Sequence, residues 1–334
     1  MMRMTVLASG SKGNSTVISS SRTRILVDAG LSCRELVKRM LHAGEDPRAL
    51  DAILITHEHQ DHVAGLGVLA RKLGVPVYFT EPTHRAWVRM LTPRRTMSYA
   101  QWLDQMQKEK EARANAAAAA FAQPEPGICD SMSAAVECSS SESEAQDPDD
   151  AEAGSTVQKE SIKADPTYLP SVEYFHSGRQ FCIGDIEVTP FTIPHDAADP
   201  CGFVFSAEGV RMALATDLGY MPPNVKAALK RIDVLLLESN HDLEMLKDGP
   251  YPWSVKQRVL SRVGHLSNLA TAEFLERDYD GTAAYIVLGH LSESNNAPEL
   301  ARLCAEQALI HHPTLLGNRI VLAEQTAPLA PICL

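Results

Sequence analysis

One heptapeptide constrains this chain more than any other feature: Thr56-His57-Glu58-His59-Gln60-Asp61-His62, directly after the apolar run at 52–55. A short apolar run of this kind reads as a buried strand. His57 and His59 are two residues apart, so on an extended chain their imidazoles project from the same side. Asp61 and His62 follow where the chain must turn into a helix predicted over 63–73 and ended by Gly74. One segment can therefore offer two imidazoles to one metal ion and a carboxylate plus an imidazole to a neighbouring one. Two ions about 3.5–4 Å apart can clamp a bridging hydroxide and polarise a scissile bond. The competing reading is a solvated His-rich turn, which the position directly behind a buried strand disfavours.

Two ions need more ligands than one segment supplies. Three further candidates stand where predicted strands end: His195 after 188–193, Asp217 after 212–215, and His290 after 284–288. Each alone is as readily structural, but three such ends in series after the first motif make coincidence a poor account.

Between these points the pattern alternates strands with helices. Strands are predicted at 4–8, 23–27, 75–79, 181–193 (broken at Gly184-Asp185), 201–215 (broken at Glu208-Gly209), 233–237, 283–288 and 319–323. Helices are predicted at 32–43, 225–231, 252–277 with a break at Gly264-His265, and 297–310. The order fits an α/β fold of four layers, an αβ/βα sandwich whose two mixed sheets pack together under outer helices.

Residues 104–166 differ: Lys/Glu/Ala-rich, then Ser/Glu/Asp-rich, with 14 acidic against 5 basic residues. Such a composition buries too little apolar surface to offset its ordering entropy, so an acidic, disordered or loosely helical insertion is predicted within a single domain spanning 1–334. It accounts for most of the net charge of -11, which otherwise argues against a nucleic-acid partner. The 7 cysteines show no CxxC spacing and read as reduced thiols, and neither a signal peptide nor a spanning segment is predicted. The expected location is cytoplasmic, with no membrane partner.

The series His-x-His-x-Asp-His, then a later His, an Asp and a final His, resembles the metallo-β-lactamase superfamily in its two-metal form. Further stretches are similar to the YycJ/WalJ-type subfamily, described as 5′-to-3′ double-stranded DNA exonucleases. They are 6–14 (Val-Leu-Ala-Ser-Gly-Ser-Lys-Gly-Asn), 65–72, 195–200, Glu238-Ser239-Asn240-His241-Asp242, Gly264-His265-Leu266-Ser267-Asn268, and Gly289-His290-Leu291-Ser292 with Asn295-Asn296. The resemblance covers roughly 1–91 and 171–323 and has no need of an insertion at about 93–168.

The resemblance implies that His57, His59 and His195 hold one metal, that Asp61, His62 and His290 hold the other, and that Asp217 bridges. Asp28 would orient a ligand histidine without binding metal. Asp61 would accept a proton from the attacking water. A ligand set of nitrogen and oxygen without thiolate suits two divalent ions, Zn²⁺ or Mn²⁺.

The bond hydrolysed is less constrained than the metal site. The turn carrying Ser9, Ser11, Lys12 and Asn14 offers hydroxyls, backbone N–H groups and an ammonium for a phosphate, or is an ordinary Gly/Ser hairpin. His265 resembles the histidine of the His-Ser-Thr loop of ribonuclease Z-like enzymes and would contact phosphate or protonate the leaving group, with Glu238 nearby. Ser267 and Asn268 are candidate phosphate contacts, though Ser267 is equally a helix N-cap. His241 and Asp242 read as loop-capping residues. His84, His176, His311 and His312 read as surface or packing residues, and Arg71-Lys72 and Arg94-Arg95 as solvated charges. The expected substrate is nucleic acid, double-stranded DNA above all. The alternatives are an RNA-cleaving nuclease and a small-molecule hydrolase, either a cyclic-nucleotide phosphodiesterase or a glyoxalase II-like thioesterase. A metal-binding scaffold with the acidic insertion as its partner arm is disfavoured by the complete ligand set.

Overall fold

A computed structural model of the protein describes residues 1–92, 103, 106–108, 165–310 and 317–334. Met1–Thr92 with Asp165–Leu334 form one compact unit, and Pro93–Ala164 a second. The acidic insertion read from the sequence, and with it Arg94-Arg95, lies almost wholly outside the described residues, as do His311 and His312.

The larger unit carries two seven-stranded sheets. The first comprises β1 (Arg3–Ala8), β2 (Ser15–Ser19), β3 (Arg24–Val27), β4 (Ala52–Leu54), β5 (Val77–Phe79) and β6 (Val172–Tyr174), with β14 (Ile332–Cys333) beside β1. The second comprises β7 (Phe181–Ile183), β8 (Ile186–Thr192), β9 (Cys201–Ala207), β10 (Val210–Ala215), β11 (Val234–Glu238), β12 (Tyr285–Gly289) and β13 (Arg319–Leu322), in that spatial order. Both are mixed. From β3 to β6 and from β10 to β13 the pairing is parallel, and elsewhere antiparallel.

The layering follows from strand periodicity. Successive side chains point to opposite faces. Ile25 and Val27 enter the core between the sheets, while Leu26 enters the core under the outer helices. In β11, Val234 and Leu236 face inward, and Leu235 and Leu237 face the helices of the second sheet. Strands buried on both faces read as continuous apolar runs, which is why 52–55 and 233–237 were legible. Helices α1 (Cys33–His42), α2 (Gln60–Val63), α3 (Leu66–Leu73) and α4 (Glu81–Leu91) accompany the first sheet in sequence. Leu36, Leu66, Leu69 and Trp87 cover its outer face. Helices α5 (Pro223–Ala228), α6 (Leu243–Asp248), α7 (Trp253–Val259), α8 (Asn268–Arg277) and α9 (Pro298–Leu309) follow the second sheet's strands, and Val225, Phe274, Ala301 and Ala305 cover it. No helix of the described residues is long and apolar enough to cross a membrane.

Two predicted elements are shorter than the sequence suggested. The helix expected over 63–73 is divided into α2 and α3 at Ala64-Gly65. The Gly65 N–H donates to the Ala29 carbonyl oxygen and the Asp61 carbonyl accepts from the Asn14 N–H, so the bond that would continue the helix is given to neighbouring loops. A β-carbon on Gly65 would lie 2.1 Å from the Leu31 carbonyl oxygen, which requires glycine there. The helix expected over 252–277 is α7 and α8, and the break between them spans 260–267, wider than Gly264-His265. His265 stands in that break. Strands β2, β6 and β14 and helices α4 and α6 had no individual sequence signal.

Candidate metal centre

Five chain turns at carboxyl-terminal ends of strands converge on one edge of the sandwich, where open α/β sheets bind their ligands. Asp28 follows β3, Thr56 and His57 follow β4, Asp217 follows β10, Glu238 ends β11 and His290 follows β12. His195 arrives just beyond β8. To aim a side chain inward directly after a buried strand, the backbone must bend sharply. Asp28, Asp217 and His290 do so with φ of 60°, 63° and 56°, a left-handed conformation. Each costs about 1–3 kcal/mol in a residue with a β-carbon. Burial of one strand leucine supplies about 1.5–3 kcal/mol, so the surrounding core offsets the strain. The approach is also close on the other side: a β-carbon on Gly30 would lie 1.7 Å from the Asp61 carbonyl oxygen.

The predicted ligands come together in overlapping groups. Ligand atoms of His57, His59 and His195 lie within 4.8 Å of one another, as do those of Asp61, His62 and His290, and those of His57, His62 and Asp217. Asp217 stands between, its carboxylate 3.4 Å from His62 Nε2 and 3.9 Å from His195 Nε2.

Four imidazoles share one arrangement, with Nδ1 tied to the protein and Nε2 turned to the cluster. His57 Nδ1 is 3.0 Å from Thr56 Oγ1 and His62 Nδ1 is 2.8 Å from Asp28 Oδ2. His195 Nδ1 is 3.2 Å from the Gly264 carbonyl oxygen and His290 Nδ1 is 2.8 Å from Glu238 Oε1. Anchoring one nitrogen fixes the tautomer and orients the other as a ligand. His59 is turned the opposite way, its Nδ1 3.2 Å from His195 Nε2. His57 Nε2, His290 Nε2 and Asp217 Oδ2 are buried with no hydrogen-bond partner. Orphaned buried polar atoms are costly, and these all point into one cluster of ligand-type groups. The residues therefore fit divalent metal ions.

Asp28 is buried against His62. Its carboxylate accepts from the Thr56 backbone N–H and hydroxyl and from His62 Nδ1. Glu238 is the second buried brace: it accepts from His265 Nδ1 and His290 Nδ1, both at 2.8 Å, and from the Leu218 and Leu266 backbone N–H groups. His265 is thereby aimed at the cluster, its Nδ1 3.8 Å from Asp217.

The electrostatics follow from this crowding. Burial works against the imidazolium of His62, yet Asp217, Asp28 and Asp61 outweigh it and lift its pKa well above the ordinary value. His290 is raised in the same way, burial being overcome by Asp217, Asp61 and Glu238. Burial, reinforced by the other histidines, pushes His57 well below and leaves it neutral. Without metal, His62 and His290 thus hold protons at neutral pH, and a metal ion must displace them. Metal uptake at pH 7 is expected to release protons and to weaken as pH falls. Calorimetric titration of the metal-stripped protein in buffers of different ionisation enthalpy measures the release; an enthalpy independent of buffer would contradict it.

The cleft above the cluster, about 210 Å³, is lined by Ser11, His59, Asp61, His195, Asp217, Asn240, Tyr251, Arg258, Val259, His265, His290 and Ser292. Of the phosphate contacts expected from sequence, Ser11 alone is in that lining. Ser9 is buried and its hydroxyl accepts from the His290 N–H, which shapes the strained turn. Lys12 pairs with Glu293 on the surface. Asn14 donates to Asp61 Oδ2 at 3.1 Å and accepts from the Gly10 N–H, so it ties the Gly/Ser loop to the ligand segment. Ser267 caps α8, accepting from the Ala270 N–H. Asn268 is 1% exposed and its amide is used by Ser239 and Asn296. For Ser9, Asn14, Ser267 and Asn268 the observed roles are therefore internal braces, because each side chain is enclosed with its hydrogen bonds already made.

Asp242 does cap α6, while His241 is buried with both ring nitrogens unpartnered, and burial pushes its pKa down to about 4. His84 packs on Phe79 and Trp87. Sequence reasoning missed Tyr251 and Arg258 and gave no role to Asn240 and Ser292, although both lie in stretches similar to the subfamily. Arg258 had a usable signal, being one of three cations in the acid-free run 249–272.

The chain is 32% identical over 301 residues to the "Exodeoxyribonuclease WalJ" of Streptococcus pneumoniae, covering 90% of this chain and 86% of that one. It is 32% identical over 308 residues to the "Exodeoxyribonuclease YycJ" of Bacillus anthracis, covering 92% and 89%. Among solved structures, the metallo-beta-lactamase fold protein YhfI from Bacillus subtilis superposes with a TM-score of 0.58 at 12% identity, over 98% of this chain and 99% of that one. Zn(2+)-bound PqqB from Methylobacterium extorquens gives 0.58 at 15% identity with the same coverage, 98% and 99%. These two show the shared fold alone. The family profile described as "Metallo-beta-lactamase superfamily" matches residues 8–290, from the Gly/Ser loop to the last histidine of the cluster, and the chain belongs to that superfamily.

Proposed function

We propose that the chain is a 5′-to-3′ exonuclease that hydrolyses phosphodiester bonds of double-stranded DNA with two divalent ions, zinc or manganese. The observation that carries the reading is the convergence of His57, His59, Asp61, His62, His195, Asp217 and His290, with the Glu238–His265 pair beside them, in a chain whose relatives over about nine-tenths of its length are named exodeoxyribonucleases. His57, His59 and His195 would hold one ion, Asp61, His62 and His290 the other, with Asp217 shared. Ions bound there supply Lewis acidity toward the phosphate and a water of lowered pKa.

The remaining chemistry belongs to the side chains. Asp61, whose carboxyl is held far below the usual range because His62 and His290 outweigh its burial, stays ionised to take a proton from the attacking water. Histidine His265 stands at the cleft with its Nδ1–H donated to Glu238. Its Nε2 is thereby free to serve the leaving oxygen as a proton donor once protonated.

The test is hydrolysis of a 5′-phosphorylated linear duplex labelled at either end, with Mn²⁺ or Zn²⁺ and an EDTA control. The expected result is metal-dependent release of nucleotides from the 5′ end, with a rate that falls steeply with salt. Cleavage confined to RNA would change the substrate. Turnover of bis-p-nitrophenyl phosphate without cleavage of any nucleic acid would move the function to a small phosphodiester.

A further inference from the structure

Helix α7 and the turns around it form the one wall of the cleft that contributes a non-histidine cation among the described residues, Arg258. The stretch 249–272 contains Lys256, Arg258 and Arg262 and no Asp or Glu, in a chain of net charge -11. Lys256 Nζ donates to the Lys247 carbonyl oxygen, and the Arg262 guanidinium lies 4.3 Å over the Tyr220 ring. Both partners are uncharged, so neither positive charge is cancelled by a carboxylate among the described residues. α7 buries none of its residues, and Trp253 on it is 65% exposed. Seven residues that bury nothing gain little from packing. Electropositive, aromatic and open, this rim is matched in charge to a polyanion.

Arg258 is engaged differently. Its Nε and Nη2 meet the two carboxylate oxygens of Asp196 at 2.5 and 3.1 Å, a two-pronged pair that remains 57% exposed on the arginine side. The Asp196 loop does not need that pair for its position. The Asp196 N–H donates to the Val263 carbonyl oxygen, and Glu58 Oε1 accepts from the Ala198 N–H. An exposed ion pair adds little to stability, whereas the guanidinium fork that grips a carboxylate also matches two oxygens of a phosphodiester.

Resting on the nuclease reading above, we propose that Arg258 is a phosphate-binding residue of the substrate strand, parked on Asp196 in the free enzyme and transferred to a backbone phosphate when nucleic acid enters the cleft. Lys256 and Arg262 extend the same electropositive rim. Asp196 acts as a competitor for the guanidinium and lowers affinity until a phosphate displaces it.

The experiment is steady-state cleavage of a 5′-phosphorylated duplex by the Mn²⁺-loaded full chain, over a series of salt concentrations. Arg258→Ala is expected to raise KM about tenfold at low salt with a much smaller change in kcat. It should also make the dependence of log(kcat/KM) on log salt shallower by about one unit. Arg258→Lys, which keeps the charge but loses the fork, restores the salt slope and only part of the KM. Asp196→Asn, which frees the guanidinium, lowers KM. A wild-type enzyme that cuts DNA while Arg258→Ala leaves KM and salt slope unchanged overturns the proposal and leaves the nuclease reading standing. So does an Asp196→Asn variant that raises KM as Arg258→Ala does, since the pair would then be a structural link. A wild-type enzyme that cuts no nucleic acid removes the nuclease reading, and this proposal falls with it.

Discussion

Alanine at His59 or at Asp61 is expected to abolish turnover, a loss of at least about a thousandfold, or roughly 4 kcal/mol of transition-state stabilisation. The two side chains belong to different ligand groups, one with His57 and His195, the other with His62 and His290. Loss of the same size at both positions is what a centre working as a unit requires, because each ion alone supports only half of the displacement. The fold should survive either change. The His59 ring meets one side-chain nitrogen at hydrogen-bond distance, His195 Nε2, and the backbone carbonyl of Asp61 that accepts from the Asn14 N–H is untouched by side-chain truncation. Metal content by elemental analysis and thermal melting of the metal-stripped variants separate the possibilities. Activity surviving either substitution in a protein of wild-type melting behaviour would refute the metal assignment.

The clustering of these ligand-type residues was legible because their chemistry and their location share one short segment. His57 to His62 lie directly behind a strand whose apolar run announces itself, and His195, Asp217 and His290 stand at or just beyond the ends of strands marked in the same way. Residues that support the ligands were less legible, for a physical reason. Ser9 and Asn14 sit in a Gly/Ser turn that looks like a phosphate cradle, but sequence does not report that the turn is closed over by the His290 loop and by Asp61. Enclosure turns a phosphate donor into a brace. The left-handed backbone at Asp28, Asp217 and His290 has no glycine to advertise it. Arg258 and Asp196 are 62 positions apart, and only the fold brings them together at the cleft. Strand β2 had no signal because Ser15–Ser19 is buried on both faces and so lacks a polar alternation, while its three β-branched residues between two serines make too short a run to stand out from the adjoining turn.

Glu238 carries the other large expected effect. Its buried carboxylate accepts four hydrogen bonds, from His265, His290, Leu218 N and Leu266 N, and it is held well below the usual carboxylate range because His265 and His290 outweigh the penalty of burial. Glu238→Ala leaves those four donors facing a cavity. Breaking a buried charge network of this kind costs about 3–5 kcal/mol, enough to compromise folding. Glu238→Gln is the informative change: it keeps the volume and one acceptor oxygen but places an amide N–H₂ against donors. Both imidazoles meet Oε1 and both backbone N–H groups meet Oε2. An amide N–H₂ on the Oε1 side therefore forces both imidazoles to rotate or change tautomer. On the Oε2 side it faces two backbone donors and displaces the side chain together with its imidazole contacts. The expected outcome is a 10- to 100-fold loss of metal affinity, the usual effect of removing the partner that orients a ligand histidine. A further fall in kcat at saturating metal would then report on His265. His265→Ala supplies the comparison: that side chain is 18% exposed, and although its ligand atom lies within 4.8 Å of those of Asp217, Glu238 and His290, it belongs to neither triad proposed for the two ions. If His265→Ala lowers kcat and leaves metal affinity unchanged while Glu238→Gln lowers both, the carboxylate serves two histidines with separate tasks. If Glu238→Gln leaves metal affinity intact, His290 is positioned by its strained backbone alone and the second task is the only one Glu238 performs.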